Sequence, residues 1–141
     1  MPVGFRSRAE QRSHDKAIGD IVAAKYKSSD YFEVHTNPGQ ERSFPVMRVL
    51  YPDIVIVNRQ NHKVEAIAEV ETISSVSYQE RLQWLDFAKT RLPFYLFVPA
   101  GSYKNAADIV KRARIRVEDI IPYNYRDGRI RVGAIREKGC F

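Results

Sequence analysis

The sequence predicts an α/β protein with a central mixed β-sheet flanked by helices, in the order helix, strand, strand, strand, helix, strand, followed by a C-terminal helix and a β-hairpin. Three observations carry that prediction. Apolar residues recur at helical spacing in three separated stretches. Runs of β-branched and aromatic residues fill the intervals between them. Turn-forming segments, among them 58–63 and Asp127-Gly128, punctuate the boundaries.

Residues 1–7 are basic and polar and read as a flexible arm. Over 8–27, Ala17, Ile18, Ile21, Val22 and Tyr26 recur at helical spacing. Gly19 weakens this helix only slightly. At about 100° per residue, Glu10 and His14 fall on the same face as Ile18 and Ile21. They either extend the apolar stripe towards a site or belong to a solvated first turn. Residues 31–36, YFEVHT, alternate as a strand, and Pro38 and Gly39 mark a loop over 37–43 whose Arg42 could meet a ligand. Residues 44–50, FPVMRVL, read as extended and lead directly into a hairpin over 51–75.

That hairpin holds the candidate chemistry. Pro52 can open a strand because its missing N–H costs little there, and Ile54, Val55, Ile56 and Val57 are strong strand formers. The polar segment 58–63 turns the chain, and 64–72 runs as the second strand. Glu69 and Glu71 lie two residues apart, so they share a face with Cα atoms about 7 Å apart. Asp53, brought close by the hairpin, would complete an acidic pocket. Like charges held together repel one another, and burial worsens the repulsion. A hard divalent cation with oxygen ligands relieves it, and Mg²⁺ suits a site of few carboxylates plus waters. The same residues also fit an ordinary amphipathic strand, with Glu65, Ile67, Glu69 and Glu71 on a solvated face and Val64, Ala66, Ala68 and Val70 on the other.

Beyond the hairpin, Ser77 is a plausible N-cap for a helix over 78–92, with Leu82, Leu85 and Ala88 inward and Trp84 and Phe87 flanking that stripe. Pro93 ends the helix and opens FYLFV over 94–98, apolar on both faces as a central strand is. A third helix over 105–114 turns Ala106, Ile109 and Val110 inward. Its exposed cluster of Lys104, Lys111, Arg112, Arg114 and Arg116 reads as a solvated face or as a phosphate-contacting surface. Residues 117–125 and 129–136 flank Asp127-Gly128, a strong two-residue hairpin signal. This hairpin displays Arg126, Arg129, Arg131 and Arg136 beside Tyr123 and Tyr125, an interleaving that suits a nucleic acid.

The 141 residues suit a single domain over 1–141, with 117–136 as a hairpin extension, and 44% hydrophobic with 11% aromatic residues argues against disorder. No apolar run approaches the roughly 18 residues of a membrane span, the N-terminal stretch lacks an apolar signal core, and the lone Cys140 excludes an internal disulfide. A cytoplasmic location is the expectation. The net charge of +6, from 23 Lys and Arg against 17 Asp and Glu, favours a polyanionic partner such as nucleic acid. His14, His35 and His62 are scattered, so no Ser–His–Asp or Cys–His set competes, and phosphate-binding glycine motifs and zinc spacings are absent.

The order of elements, with Pro52-Asp53 at one strand and an acidic pair on the next, resembles the PD-(D/E)xK nuclease superfamily, whose restriction endonuclease-like fold serves restriction enzymes, junction resolvases and repair nucleases. The resemblance spans roughly residues 8–116. It implies a metal-dependent DNA endonuclease, often homodimeric, that uses Mg²⁺ or Mn²⁺. By resemblance, Asp53 and Glu69 ligate the metal and the Val70 carbonyl assists. Glu71 stands where the family usually has lysine, and there it completes the metal shell, helps hold a second ion or accepts a proton from water. Lys89 or Lys63 could replace the missing ammonium, and Gln79 or Gln83 the supporting glutamine. Glu10, or else His14, matches the acidic residue of the first helix, while Lys111, Arg112, Arg114, Arg129 and Arg131 would hold the phosphate backbone. The alternative is a non-catalytic nucleic-acid-binding or partner-binding module on the same fold.

Overall fold

The computed structural model describes residues 7–26, 29–39 and 43–133. Arg42, Arg136, Cys140 and most of the basic arm lie outside these residues. The order of elements is α1 (Arg8–Lys25), β1 (Phe32–Thr36), β2 (Ile54–Asn58), β3 (Val64–Val70), α2 (Arg81–Ala88), β4 (Phe94–Pro99), α3 (Tyr103–Ala113), β5 (Asp119–Arg126) and β6 (Arg129–Val132). All six strands join one mixed sheet in sequential order. The β3–β4 and β4–β5 pairs are parallel and the other pairs antiparallel. Parallel neighbours need a crossover, and α2 and α3 supply the two crossovers.

Strand alternation sorts the core into two layers. Ile54, Ile56, Ala66, Ala68, Tyr95 and Phe97 meet Ala17, Ile18 and Ile21 of α1 on one face. Val55, Val57, Ile67, Leu96 and Val98 meet Trp84 and Phe87 of α2 and Ala106 and Ile109 of α3 on the other. The apolar runs in β2 and β4 are thereby buried on both faces, as their composition requires. Phe32 and Val34 of β1 and Ile130 and Val132 of β6 also pack into the α1 layer, so both sheet edges curl about that helix.

Local signals explain most boundaries. Ser7 caps α1 by accepting from the Glu10 N–H at 3.1 Å, and Glu10 stands at the third helical position, where a capping-box acid belongs. Asp127 and Gly128 take φ of 54° and 75°, the pair of left-handed residues a two-residue hairpin needs, and Arg126 pairs with Arg129 across the turn.

Three segments differ from expectation. The helix expected over 78–92 is a 3-10 turn at Tyr78–Glu80 followed by α2, which stops at Ala88. Thr90 ends it early, its hydroxyl donating to the Phe87 carbonyl at 2.7 Å and accepting from the Leu92 N–H at 3.2 Å. The buried stripe is also rotated: Glu80, Trp84 and Phe87 point inward, while Leu82 is 55% exposed. The third helix begins two residues earlier than expected and ends at Ala113, because Arg114 turns left-handed at φ 55°. Residues 44–50 are not extended. Val46 and Leu50 exchange both backbone hydrogen bonds, at 2.7 and 3.0 Å, around a tight turn in which Met47 and Arg48 hold φ of 51° and 71°.

Candidate functional site

The candidate site forms where β2 begins and β3 ends. Ile54 pairs with Ala68, so the register brings Asp53 level with Glu69. Two hydrogen bonds lock this alignment. The Asp53 N–H donates to Glu69 Oε1 at 2.9 Å, and the Val70 N–H donates to Asp53 Oδ2 at 2.8 Å. Glu71 follows the last residue of β3, held there by its N–H to the Phe97 carbonyl at 2.8 Å. Asp53, Glu69 and Glu71 are 6%, 5% and 1% exposed, which excludes the solvated-face reading of this strand. This end of the sheet is also the carboxyl end of β3 and of its parallel neighbour β4, the side on which open α/β sheets form their binding crevices.

Both helical layers reach the site. From α1, the buried His14 places Nε2 3.1 Å from Asp53 Oδ2, while its Nδ1 lies 3.4 Å from Asp15 Oδ1. Glu10, one helical turn earlier, accepts from the Ser74 hydroxyl at 2.7 Å and so ties the start of α1 to the connection after Glu71. From the opposite layer, the Trp84 indole N–H donates to Glu71 Oε2 at 3.1 Å, and the Ser75 hydroxyl donates to Oε1 at 2.7 Å. Tyr123 of β5 donates its hydroxyl to the Glu71 carbonyl at 2.5 Å.

The electrostatics are dominated by clustered carboxyl groups. No lysine or arginine forms an ion pair with Asp53, Glu69 or Glu71 among the described residues; the sole such contact is His14 with Asp53. Burial pushes the Glu69 carboxyl well above the usual carboxylate range, with Asp53 and Glu71 adding to the rise. Burial and then repulsion from Glu80 push Glu71 up to about 8, against the opposing bonds from Ser75 and Trp84. The same negative field adds to burial in raising the Tyr123 phenol.

The site therefore combines Asp53, Glu69 and Glu71 with His14 and Glu80, while Glu10 reaches it through Ser74. Glu80 had no place in the sequence motif, yet it is 5% exposed and acts on both motif glutamates. Its signal was its spacing, four residues before Trp84 on one helical face. Neither candidate for the missing lysine reaches the site. Lys63 precedes β3, about 20 Å of strand from Glu69. Lys89 lines a groove of about 360 Å³ with Met47, Val49, Leu50, Asp86 and Thr90, none of them a site residue. Gln79 is exposed and Gln83 half-buried.

The expected cationic surface is solvent-facing. Lys111, Arg112, Arg114, Arg129 and Arg131 are all at least partly exposed. Arg112 pairs with Asp108 at 3.2 Å and lies 5.1 Å from the Tyr78 ring, whose face also carries Arg81 at 3.9 Å. Because Ile130 and Val132 pack towards α1, alternation turns Arg129 and Arg131 to the side of the sheet that α2 and α3 cover. Glu69 belongs to that same side through Ile67.

The donor chemistry fits a hard divalent cation: several carboxylate oxygens gathered in one buried place and a backbone carbonyl at Val70. The arrangement is not a preformed cage. Each motif carboxylate already accepts from a protein donor, and no three His, Cys, Asp or Glu side chains among the described residues surround a common point in ligand geometry. Among the described residues, no helix is long and apolar enough to cross a membrane.

Fold and site together define a mixed α/β protein with a buried acidic centre at one end of its sheet. No known protein family, no curated protein and no solved structure matches the chain.

Proposed function

We propose that the protein is a metal-dependent nuclease of the PD-(D/E)xK type that hydrolyses phosphodiester bonds in DNA. The observation that carries this reading is the register that sets Asp53 beside Glu69 in a buried acidic pocket. Three features support it further: the helix–strand–strand–strand–helix–strand order, the parallel crossover from β3 to β4, and the net charge of +6.

In this reading Asp53 and Glu69 hold Mg²⁺ or Mn²⁺, with the Val70 carbonyl as a further oxygen. When bound, such an ion lowers the pKa of a water and offsets the charge of the scissile phosphate. The chain's own residues prepare for that. His14 and the Val70 N–H fix the Asp53 carboxylate from two sides. Trp84 and Ser75 fix Glu71, whose carboxyl stands in place of the family's lysine and exchanges protons near neutral pH. Lys111, Arg112, Arg114, Arg129 and Arg131 supply phosphate contacts from one side of the sheet, with the salt dependence such contacts bring.

A second reading rests on a specific observation. Each motif carboxylate is engaged by a protein donor, and the lysine position holds Glu71, as in a non-catalytic binding module on the same fold. Plasmid nicking with Mg²⁺ and with Mn²⁺ separates the two. The nuclease reading expects nicking that Glu69→Ala abolishes. Salt-sensitive DNA binding without cleavage of duplex, single-stranded or branched substrates, unaltered by EDTA and by Glu69→Ala, supports the second reading instead.

A further inference from the structure

The turn at 46–50 carries two exposed apolar side chains that the site does not use. Met47 is 66% exposed and Val49 74%, with the exposed Arg48 between them at the apex. The backbone beneath them is strained: Met47 and Arg48 are consecutive non-glycine residues in the left-handed region, and Val46 and Leu50 clamp the turn at its neck. Chains hold such conformations only where the surroundings enforce them, and they concentrate at functional sites.

The root of the excursion is correspondingly rigid. The buried Asn37 side chain donates to the Phe44 carbonyl at 2.8 Å and to the Pro52 carbonyl at 2.7 Å, and accepts from the Phe44 N–H at 2.7 Å. Its own N–H donates to the Asp53 carbonyl at 3.1 Å. The Phe44 ring stacks on His35 with centroids 4.0 Å apart. One asparagine thus ties both legs of the protrusion to the backbone of the first motif residue. Five residues separate Arg48 from Asp53, a reach of at most about 18 Å.

We infer that the Met47–Arg48–Val49 tip is a wedge that enters the minor groove of duplex DNA and unstacks a base step close to the carboxylate pocket. This rests on the nucleic-acid reading above and specifies how the duplex is held. The chemistry at the tip selects that occupant. Minor-groove wedges are apolar side chains such as methionine that part adjacent bases, accompanied by arginine drawn to the groove's negative potential. Residues 43–52 carry Arg48 and no acidic side chain, and where Met47 and Val49 line a groove against α2 the Asp86 carboxylate is accompanied by the Lys89 ammonium. A reach of about 18 Å corresponds to roughly five base pairs at 3.4 Å each, so the distorted step falls within a half-turn of the scissile phosphate.

The test uses duplexes carrying 2-aminopurine at successive A·T steps, titrated with the full chain in EDTA so that no strand is cut, with anisotropy of a terminal dye reporting binding. The wild-type chain is expected to bind and to raise 2-aminopurine emission several-fold. Met47→Ser/Val49→Ser, at exposed positions and checked for folding by circular dichroism, is expected to bind within a few-fold of wild type without the rise. Wild-type binding without the rise, or a rise that persists in the double variant, overturns the wedge and leaves the nucleic-acid reading standing. Absence of binding by the wild-type chain overturns both. Self-association that the double variant abolishes, with the emission unchanged by wild type, also overturns the wedge and makes the tip a contact between copies.

Discussion

The single tryptophan of this chain reports on its buried acids. Trp84 donates its indole N–H to Glu71 at 3.1 Å, so ionisation of that carboxyl alters the environment of the fluorophore directly. Burial and the Glu80 charge raise Glu71 from the ordinary 4.5 to about 8. The sign follows from linkage. A raised carboxyl keeps its proton in the folded chain where the unfolded chain has lost it, so its stabilising effect is complete below about 4.5 and is lost as pH rises through about 8. Between about pH 6 and pH 9 the folded state should lose about 2–3 kcal/mol, or roughly 5–10 °C in melting temperature for a chain of this size. Tryptophan emission should titrate over the same interval with a midpoint near 8. Glu71→Gln should remove the spectroscopic transition and reduce the pH dependence of stability, the remainder coming from Glu69. Burial, with the Asp53 and Glu71 charges adding to it, raises Glu69 as well, so Glu69→Gln should leave one carboxyl titrating where wild type has two interacting ones, read as a sharper transition. Emission that stays flat from about pH 6 to 9, or a Glu71→Gln profile equal to wild type, would refute the electrostatic account of the pocket.

Other perturbations test separate parts of the account. Replacing Met47-Arg48 with Asn-Gly, which accepts positive φ at both positions, should raise stability by about 1–2 kcal/mol by relieving backbone strain, measured by urea denaturation. His14→Ala removes the side chain that meets Asp53 from α1, and should cut Mg²⁺-dependent nicking about 10–100-fold, the usual effect of losing a partner behind a metal ligand. Alanine at Lys111, Arg114 or Arg131 should weaken DNA binding evenly across sequences and lower the salt slope by about one for each phosphate left without its cation, read by anisotropy at several salt concentrations.

Much of this architecture is legible in the chain because local and global signals agree. The 54–57 and 94–98 runs are apolar on both faces and became two of the buried strands, and Asp127-Gly128 set its hairpin through two left-handed residues. Asp53, Glu69 and Glu71 were legible as a group because a hairpin returns its second strand beside its first, whereas the bulge between Ile56 and Val57, which sets the register at the site, had no signal in the sequence. What escaped was decided by tertiary contacts. The Trp84 indole turns towards Glu71, which rotates α2 so that Glu80 is buried and Leu82 exposed, against the helix's own apolar pattern. The excursion after Asn37 folds back because that one side chain binds both of its legs, a long-range bond that nothing in FPVMRVL announces. The sequence leaves His14 between a solvated first turn and an extension of the apolar stripe, and the curl of the sheet about α1 decides for the second by burying it against Asp53.

The claim on which the functional reading rests is that Asp53 and Glu69 together hold a divalent cation. Crystals soaked in Mn²⁺ and measured for anomalous scattering test it most directly. The account predicts an anomalous peak in contact with both carboxylates, lost in Asp53→Asn. A map with Mn²⁺ bound elsewhere on the molecule and no peak at these two side chains would contradict it.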